Sequence, residues 1–397
     1  MSVISTTLCY PHSEAPTQGI FVQRRLQAIA GHLPITVIAP VPWFPLLAPM
    51  PSAAPMVVKE TPSVTRPRMF YLPGIAKSFD AGFYAIALER AIRSLDPRDR
   101  PIRLIDAHFE WPDGVGAFRV ARRLGIPFVC TLRGKLVSQI GYSSRRRQIV
   151  EMLCGADRLI AVSHSLAELT RRVAGDDLRV SVIPNGIDRE IFTRYIDGQS
   201  ASSPSPAARA ELGWSSTTKY AVSVGHLQSL KGFHLLVDMW PRVRKRVGDA
   251  RLMLVGGSAG ERGYERQLRR QIEALGLTED VTLAGRAAPQ RVARMLNAAD
   301  LFVLASRSEG WCNAIAEALA CGCPVVASDV GGNREIMNEW GLGRLVPLDN
   351  PGALLDRTCD GLEEEWDRGH IAEVGGRRDW QQVAAECVDV FREIMHD

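Results

Sequence analysis

Residues 306–336 read SRSEGWCNAIAEALACGCPVVASDVGGNREI, with two carboxylates, Glu309 and Glu317, eight positions apart. Glu309 falls in the loop after the apolar run Leu301-Phe302-Val303-Leu304, and Glu317 about two turns into the helix that the Ala- and Leu-rich stretch predicts. At a rise of about 1.5 Å per residue, the carboxylates stand several ångströms to over 10 Å apart along one edge. That separation grips two ends of an extended ligand and does not suit the roughly 5–5.5 Å pair of a retaining glycosidase. Two glutamates alone mean little in a charged chain. Their setting carries the weight, because open α/β sheets bind ligands at the carboxyl ends of strands. Gly310, Trp311, Cys312 and Asn313 form the entry to the helix. Free amides and the helix dipole favour an anion there, and a phosphate would gain directed hydrogen bonds.

Three further segments offer candidates. Residues 224–232, VGHLQSLKG, run from a strand through a loop into a helix start and contain Gly225, His226 and Lys231. Walker A spacing is absent, so this is not a P-loop, but Lys231 can neutralise a phosphate. By itself such a lysine is an ordinary solvated charge. Residues 107–114, AHFEWPDG, put His108 at the carboxyl end of a strand, either as a structural or solvated histidine or as one that serves a cleft. Gly19 follows the first strand and frees the backbone for close approach to a ligand. No GxGxxG accompanies it, so hydride transfer to a dinucleotide lacks its fingerprint.

These residues need a scaffold, and the sequence supplies one. Short β-branched runs at 35–39, 104–107, 128–132, 158–162 and 180–183 alternate with helical patterns. The alternation resumes at 220–224, 251–255, 281–284, 301–304, 325–327 and 344–346. Strand–helix alternation over a chain of 397 residues predicts two α/β domains built on parallel sheets. Ile183-Pro184-Asn185-Gly186-Ile187-Asp188 closes the first block, placing a hinge near 185–195. Residues 198–206, GQSASSPSP, read as a flexible surface insertion, and 40–55 as a proline-rich apolar loop, either packed on its own domain or touching a lipid or partner. The first residues read as a strand and not a signal peptide, and no apolar run reaches the roughly 18 residues of a membrane span. The eight cysteines lack zinc-finger spacing and read as free, buried thiols of a cytoplasmic protein. The net charge of +4 hides a split. Residues 1–190 hold 24 Lys/Arg against 16 Asp/Glu, so the first half is basic and the second acidic. The basic residues include Arg122-Arg123, Arg133, Lys135 and Arg145-Arg146-Arg147, either solvated helix faces or a dock for an anionic lipid. No nucleic-acid recognition motif accompanies them.

In this order the segments resemble the retaining glycosyltransferases of the GT-B fold, family four (glycosyl transferases group 1). The resemblance rests on Gly19, His108, Ser163-His164-Ser165, the IPNGID at 183–188, GHLQSLKG at 225–232 and EGWCNAIAEALACGCPVVASDVGGNRE at 309–335. The wording is similar to transferases of bacterial envelope and exopolysaccharide assembly, the teichuronic-acid type among them. The resemblance implies an α/β protein with two Rossmann-like parallel-sheet domains facing a central cleft. Residues 1–187 would bind the acceptor, 188–376 the nucleotide sugar, and 377–397 would form a helix crossing back to the first domain. Glu309 would hold hydroxyls of the donor sugar and Glu317 the ribose. Lys231 would neutralise the diphosphate, assisted by Gly225 and the amides of Gly310, Trp311, Cys312 and Asn313. His108 would line the donor sugar and help the reaction, and the Gly19 loop would approach the phosphates and acceptor. The catalytic set is then His108, Lys231 and Glu309. No metal and no cofactor is expected beyond a UDP- or GDP-linked co-substrate. The acceptor would be a glycan or a lipid-pyrophosphate at the inner face of the membrane. One departure stands out: many relatives carry Arg where this chain has His226, so Lys231 or Arg286 would take up that charge. A sugar-nucleotide epimerase of similar architecture and a non-catalytic nucleotide-sugar-binding protein are the rival readings.

Overall fold

The computed structural model describes residues 2–13, 15–44, 62–72, 77–95, 101–196, 202–258, 261 and 263–396. The chain divides into two compact units, Met1–Gly186 with Trp380–Asp397, and Ile187–Asp379.

The first unit contains β1 (Ser2–Thr6), β2 (Ile35–Ile38), β3 (Val41–Trp43), β4 (Ser63–Thr65), β5 (Arg68–Phe70), β6 (Ile102–His108), β7 (Phe128–Leu132), β8 (Arg158–Ala161) and β9 (Val180–Val182). Seven of them form a parallel sheet in the order β4-β2-β1-β6-β7-β8-β9, and β3 pairs with β5 in a small ribbon. Every residue of β1 and β7 is buried, as parallel strands covered on both faces require. The sequence runs of 35–39, 104–107, 128–132, 158–162 and 180–183 lie on strands. The three-residue β3, β4 and β5 are too short to show a period.

The second unit contains β10 (Lys219–Val224), β11 (Ala250–Val255), β12 (Val281–Gly285), β13 (Leu301–Leu304), β14 (Val325–Ser328) and β15 (Gly343–Val346), parallel in the order β12-β11-β10-β13-β14-β15. Period-two alternation sorts its side chains between two cores. Tyr220, Val222, Phe302 and Leu304 face the core shared with helices Pro289–Ala298 and Asn313–Ala320. Ala221, Leu252, Leu301 and Val303 face the one shared with helices Phe233–Val247 and Pro351–Glu363. In each unit the winding reverses once, between β1 and β6 and between β10 and β13. Open sheets form a ligand crevice at such a reversal, outside the carboxyl ends of the strands.

The helix Trp380–His396 buries Val383, Ala384, Cys387, Val388 and Phe391 in one core with Val22, Leu26 and Ile29 of helix Ile20–Ala30. Its periodicity shows an apolar stripe but not the partner, which is the first unit. Each such large side chain contributes roughly 1.5–3 kcal/mol when fully buried. Between the two helices Arg25 donates from Nη2 to the Cys387 sulfur at 2.8 Å.

All eight cysteines are free. Six are buried, Cys9 is half-buried and Cys154 is exposed. Of the stretch 198–206, residues 198–201 lie outside the described residues, while Ser205 caps helix Pro206–Leu212 by accepting from the Ala208 amide at 3.0 Å. Most of the apolar stretch 40–55 also lies outside the described residues. Among the described residues no helix is long and apolar enough to cross a membrane.

Candidate functional site

The crevice of the second unit lies between two loops. Residues 225–232 leave β10 and residues 305–312 leave β13. The Arg307 amide donates to the Leu230 carbonyl at 2.9 Å, joining the loops backbone to backbone. Gly232 has φ +70, and an added Cβ would collide with the Ala305 carbonyl oxygen, so only glycine permits this approach. The join brings Lys231 Nζ to 2.6 Å from Glu309 Oε1. Their side chains are 20% and 8% exposed, so the pair is sheltered yet open to a ligand. Burial pulls the Lys231 pKa down, but the charge of Glu309 and the hydrogen bond to it outweigh burial, and the ammonium is held more firmly than in water. The Lys231 stem passes 3.6 Å from where a Gly225 Cβ would stand. His226, beside it, is exposed.

Glu309 leads into helix Asn313–Ala320. No side chain caps that helix, and of its first amides those of Ile315 and Ala316 donate to the Cys312 carbonyl at 3.1 and 3.3 Å. Cys312, its buried N-cap residue, has a thiol that burial pushes up to about 12, so it stays neutral beside the pair. The Trp311 indole N–H is buried without a hydrogen-bond partner. Glu317 is half-buried on the second turn. Arg286 is exposed at the end of β12, two strands from β10 or about 10 Å by strand spacing. Its stem lies over Gly257 and its Nη2 donates to the Ser258 carbonyl at 3.1 Å.

The sequence candidates thus separate into two groups. Gly225, His226, Lys231, Glu309, Gly310, Trp311, Cys312, Asn313 and Glu317 flank one crevice in the second unit, with Arg286 at its side. Gly19 and His108 belong to the first unit. Gly19 has φ +70, and a Cβ there would collide with the Cys9 carbonyl. Only glycine therefore permits the approach of these two loop segments. His108, expected to line a donor sugar, has no exposed surface. Arg133 Nη2 lies 3.1 Å from Nδ1, and since guanidinium only donates, Nδ1 accepts. Nε2 then carries the proton, 3.0 Å from Ser5 Oγ and 3.2 Å from Asp106 Oδ2. Burial drives the His108 pKa down to about 4 against the pull of Asp106, so the ring is neutral at pH 7. Arg133, counted among the surface charges, turns inward to His108 and Asn185.

Three supports escaped the sequence reading. An added Cβ at Gly331 (φ +52) would collide with the Glu309 carbonyl, so the turn after β14 braces the residue that carries the carboxylate. A Cβ at Gly256 would collide with the Gly225 carbonyl. Glu261 accepts from the Ser229 amide at 2.8 Å and hydroxyl at 3.1 Å. The Gly256-Gly257 and Gly331-Gly332 pairs, each just past a strand, were the available signal.

Two Rossmann-like units, the second holding an ammonium–carboxylate pair at its winding reversal, define an α/β protein of the GT-B class. The chain aligns along its whole length with sucrose-phosphate synthase from Thermosynechococcus elongatus (TM-score 0.80, 20% identity, 100% of this chain and 99% of that one). It also aligns with Anabaena HepE solved with UDP (TM-score 0.74, 19% identity, 99% of each chain). At those identities the likeness shows the fold. Residues 204–375 match the model for glycosyl transferases group 1, and residues 19–191 that for glycosyltransferase family 4. The D-inositol 3-phosphate glycosyltransferase of Paenarthrobacter aurescens is 30% identical over 73% of this chain and 72% of its own length. A Bacillus subtilis protein assigned to teichuronic acid biosynthesis, TuaC, is 29% identical over 84% and 82%. The chain belongs to this family of glycosyltransferases.

The brace on Glu309 has a measurable consequence. Gly331→Ala is expected to lower turnover about a hundredfold, since a displacement of about 1 Å at a reacting centre has that effect. Its circular dichroism should match wild type. Unchanged turnover would show that the placement of Glu309 does not govern turnover.

Proposed function

We propose that this chain moves a sugar from a UDP- or GDP-linked donor to a glycan or lipid-pyrophosphate acceptor of a bacterial envelope or exopolysaccharide. The sugar keeps its anomeric configuration and no metal ion takes part. The observation that carries the reading is the Lys231–Glu309 contact at the reversal of the second sheet. It puts a fixed cation and a hydroxyl-accepting carboxylate side by side at the start of an uncapped helix.

Breaking the sugar–phosphate bond develops negative charge on the leaving diphosphate. Lys231 and the helix N-terminus meet that charge as it grows and so favour the transition state over the ground state. Glu309 accepts hydrogen bonds from the sugar, and Glu317 from the ribose. The leaving phosphate takes the acceptor proton on the same face, which retains configuration. The second half of the chain carries more acidic than basic residues, so binding of an anion there depends on these local groups. The basic first half suits an anionic acceptor or the inner membrane surface.

One assay tests the reading. Purified protein is mixed with UDP- and GDP-sugars, with and without anionic vesicles carrying bacterial lipid extract, and nucleotide release and vesicle co-sedimentation are followed. Release that requires the extract, with label moved to lipid, is the expected result. Release without acceptor marks an epimerase or hydrolase, and no release with any donor rejects transfer. Protein left in the supernatant at low salt rejects the membrane surface.

A further inference from the structure

None of the steps above uses Glu110. It follows β6, at the reversal of the first sheet. Its side chain has no exposed surface, and among the described residues no side chain bonds either carboxyl oxygen, toward which only the Glu110 and Arg133 amides are directed. A buried carboxyl with no cation bonded to it is costly and demands a reason. The residue before it, Phe109, is the one non-glycine at positive φ among the described residues (φ 71, ψ 152). Such strain gathers at functional sites. The turn Glu110–Gly114 also ties down the neighbouring loop. Asp113 Oδ2 accepts from the Leu8 amide at 2.8 Å and from Thr7 Oγ1 at 3.0 Å, just past β1 on the other side of the reversal.

The groups around Glu110 are few. Asp113 shares its turn, His108 and Asp106 stand on β6 before it, and Cys130 on β7 is buried beside it. After β7 come Arg133, bound to His108, and exposed Lys135, whose Nζ lies 4.7 Å from the Phe109 ring centroid. Helix Ser143–Gly155 brings Arg145 over the Trp111 ring, and helix Asp80–Ser94 brings buried Tyr84. The buried face of helix Val115–Leu124 has no titratable group. Lys135 is thus the cation toward which an ionised Glu110 would turn.

We propose that Glu110 is a proton-dependent positioning residue for the acceptor side of the transfer. When neutral it stays inside and keeps the 109–114 turn in its strained form. When ionised, its proton lost to water, it moves toward Lys135, and the turn relaxes together with the His108–Arg133 contact and the Thr7–Leu8 tether. Only the kinetic part of this rests on the transfer reading.

Burial pushes the Glu110 carboxyl up to about 7, against the pull of the Glu110 and Arg133 amides and Lys135. Asp113 is likewise pushed up by burial, to about 6. A carboxyl whose pKa is higher folded than unfolded stabilises the fold at low pH and loses that contribution as pH rises through the folded value. His108, lowered to about 4 by burial, acts in the opposite sense, its contribution being lost as pH falls below its unfolded value of 6.5. Asp113, His108 and, toward pH 9, the buried thiols titrate in wild type and variant alike, so the difference between the two proteins isolates Glu110.

Glu110→Gln keeps the shape and removes the titration. With the full chain, wild-type Tm should fall relative to the variant's between about pH 4.5 and 7.5, with most of the difference reached by about pH 7, leaving the variant the more stable at the upper end. Wild-type kcat/KM, read as nucleotide release with lipid-extract vesicles, should fall about tenfold per pH unit above pH 7, while the variant stays level. Parallel profiles for the two proteins, or a glutamine variant less stable than wild type at about pH 8.5, would overturn the proposal. Should the Glu110→Gln protein fail to fold, Glu110→Met repeats the stability arm with no polar atom. A wild type that transfers no sugar defeats the functional reading, and the Tm comparison then decides the proton-dependent turn alone.

Discussion

Lys231→Ala is expected to lower turnover by about 10²- to 10³-fold, the usual effect of deleting one preorganised donor aimed at developing charge. The loss should fall on kcat more than on KM, because a diphosphate gains negative charge as the sugar leaves. The structure gives this lysine unusual definition. Its ammonium is 2.6 Å from Glu309, its stem lies against Gly225, and the loop that carries it is bonded to residue 307. Little side-chain freedom remains to be lost on binding, so its charge is already in place when the bond breaks. Removing it also leaves Glu309, 8% exposed, without its ammonium. A sheltered carboxylate stripped of its partner is expected to lower stability as well. Steady-state kinetics at saturating donor, with a melting curve for each protein, separates the two effects. A kcat within threefold of wild type (under roughly 1 kcal/mol) would remove Lys231 from the catalytic set.

Glu309→Gln should behave in the opposite way toward product. In the free protein the carboxylate occupies Lys231, and an incoming diphosphate must compete for the same ammonium while facing a nearby negative charge. Glutamine keeps the size of the side chain and removes both obstacles. UDP, titrated calorimetrically, is expected to bind about three- to tenfold more tightly to the variant, close to 1 kcal/mol. Sugar transfer should fall roughly 10- to 100-fold for each sugar hydroxyl that loses a charged acceptor, given about 1.5–3 kcal/mol per such bond. Tighter product with slower chemistry is hard to obtain from a misfolded site. Weaker UDP binding would mean that Glu309 serves chiefly to organise Lys231, and the donor-sugar role would be lost.

Much of the second unit was legible in the sequence. Its six strands are apolar runs long enough to show themselves, and the segment from 309 to 335 holds most of one wall of the crevice in consecutive residues. A loop, a helix and the next strand are local structures, and local periodicity reports them. The first unit was less legible at the same level of detail. His108 sits at a strand end, as its sequence neighbours indicate, yet the ring is enclosed by Ser5, Asp106 and Arg133. Two of these come from other strands or loops, and none reveals its direction in the sequence. Glu110 drew no notice because a glutamate between two aromatic residues looks like an exposed side chain until the packing around it is known.

The sequence by itself determined the elements, because alternation of apolar residues dictates which face of each strand and helix leaves water. It also determined that a basic half precedes an acidic one, and that a short run of residues sets two carboxylates eight positions apart around a helix start. Only the tertiary structure decided which residues meet. Lys231 reaches Glu309 across 78 positions, Gly331 braces Glu309, and Val383, Cys387 and Phe391 meet Val22, Leu26 and Ile29 in one core. The physical reason is that periodicity records burial but not the partner. Partners are chosen by strand order and close backbone approach, and those are properties of the whole packed chain.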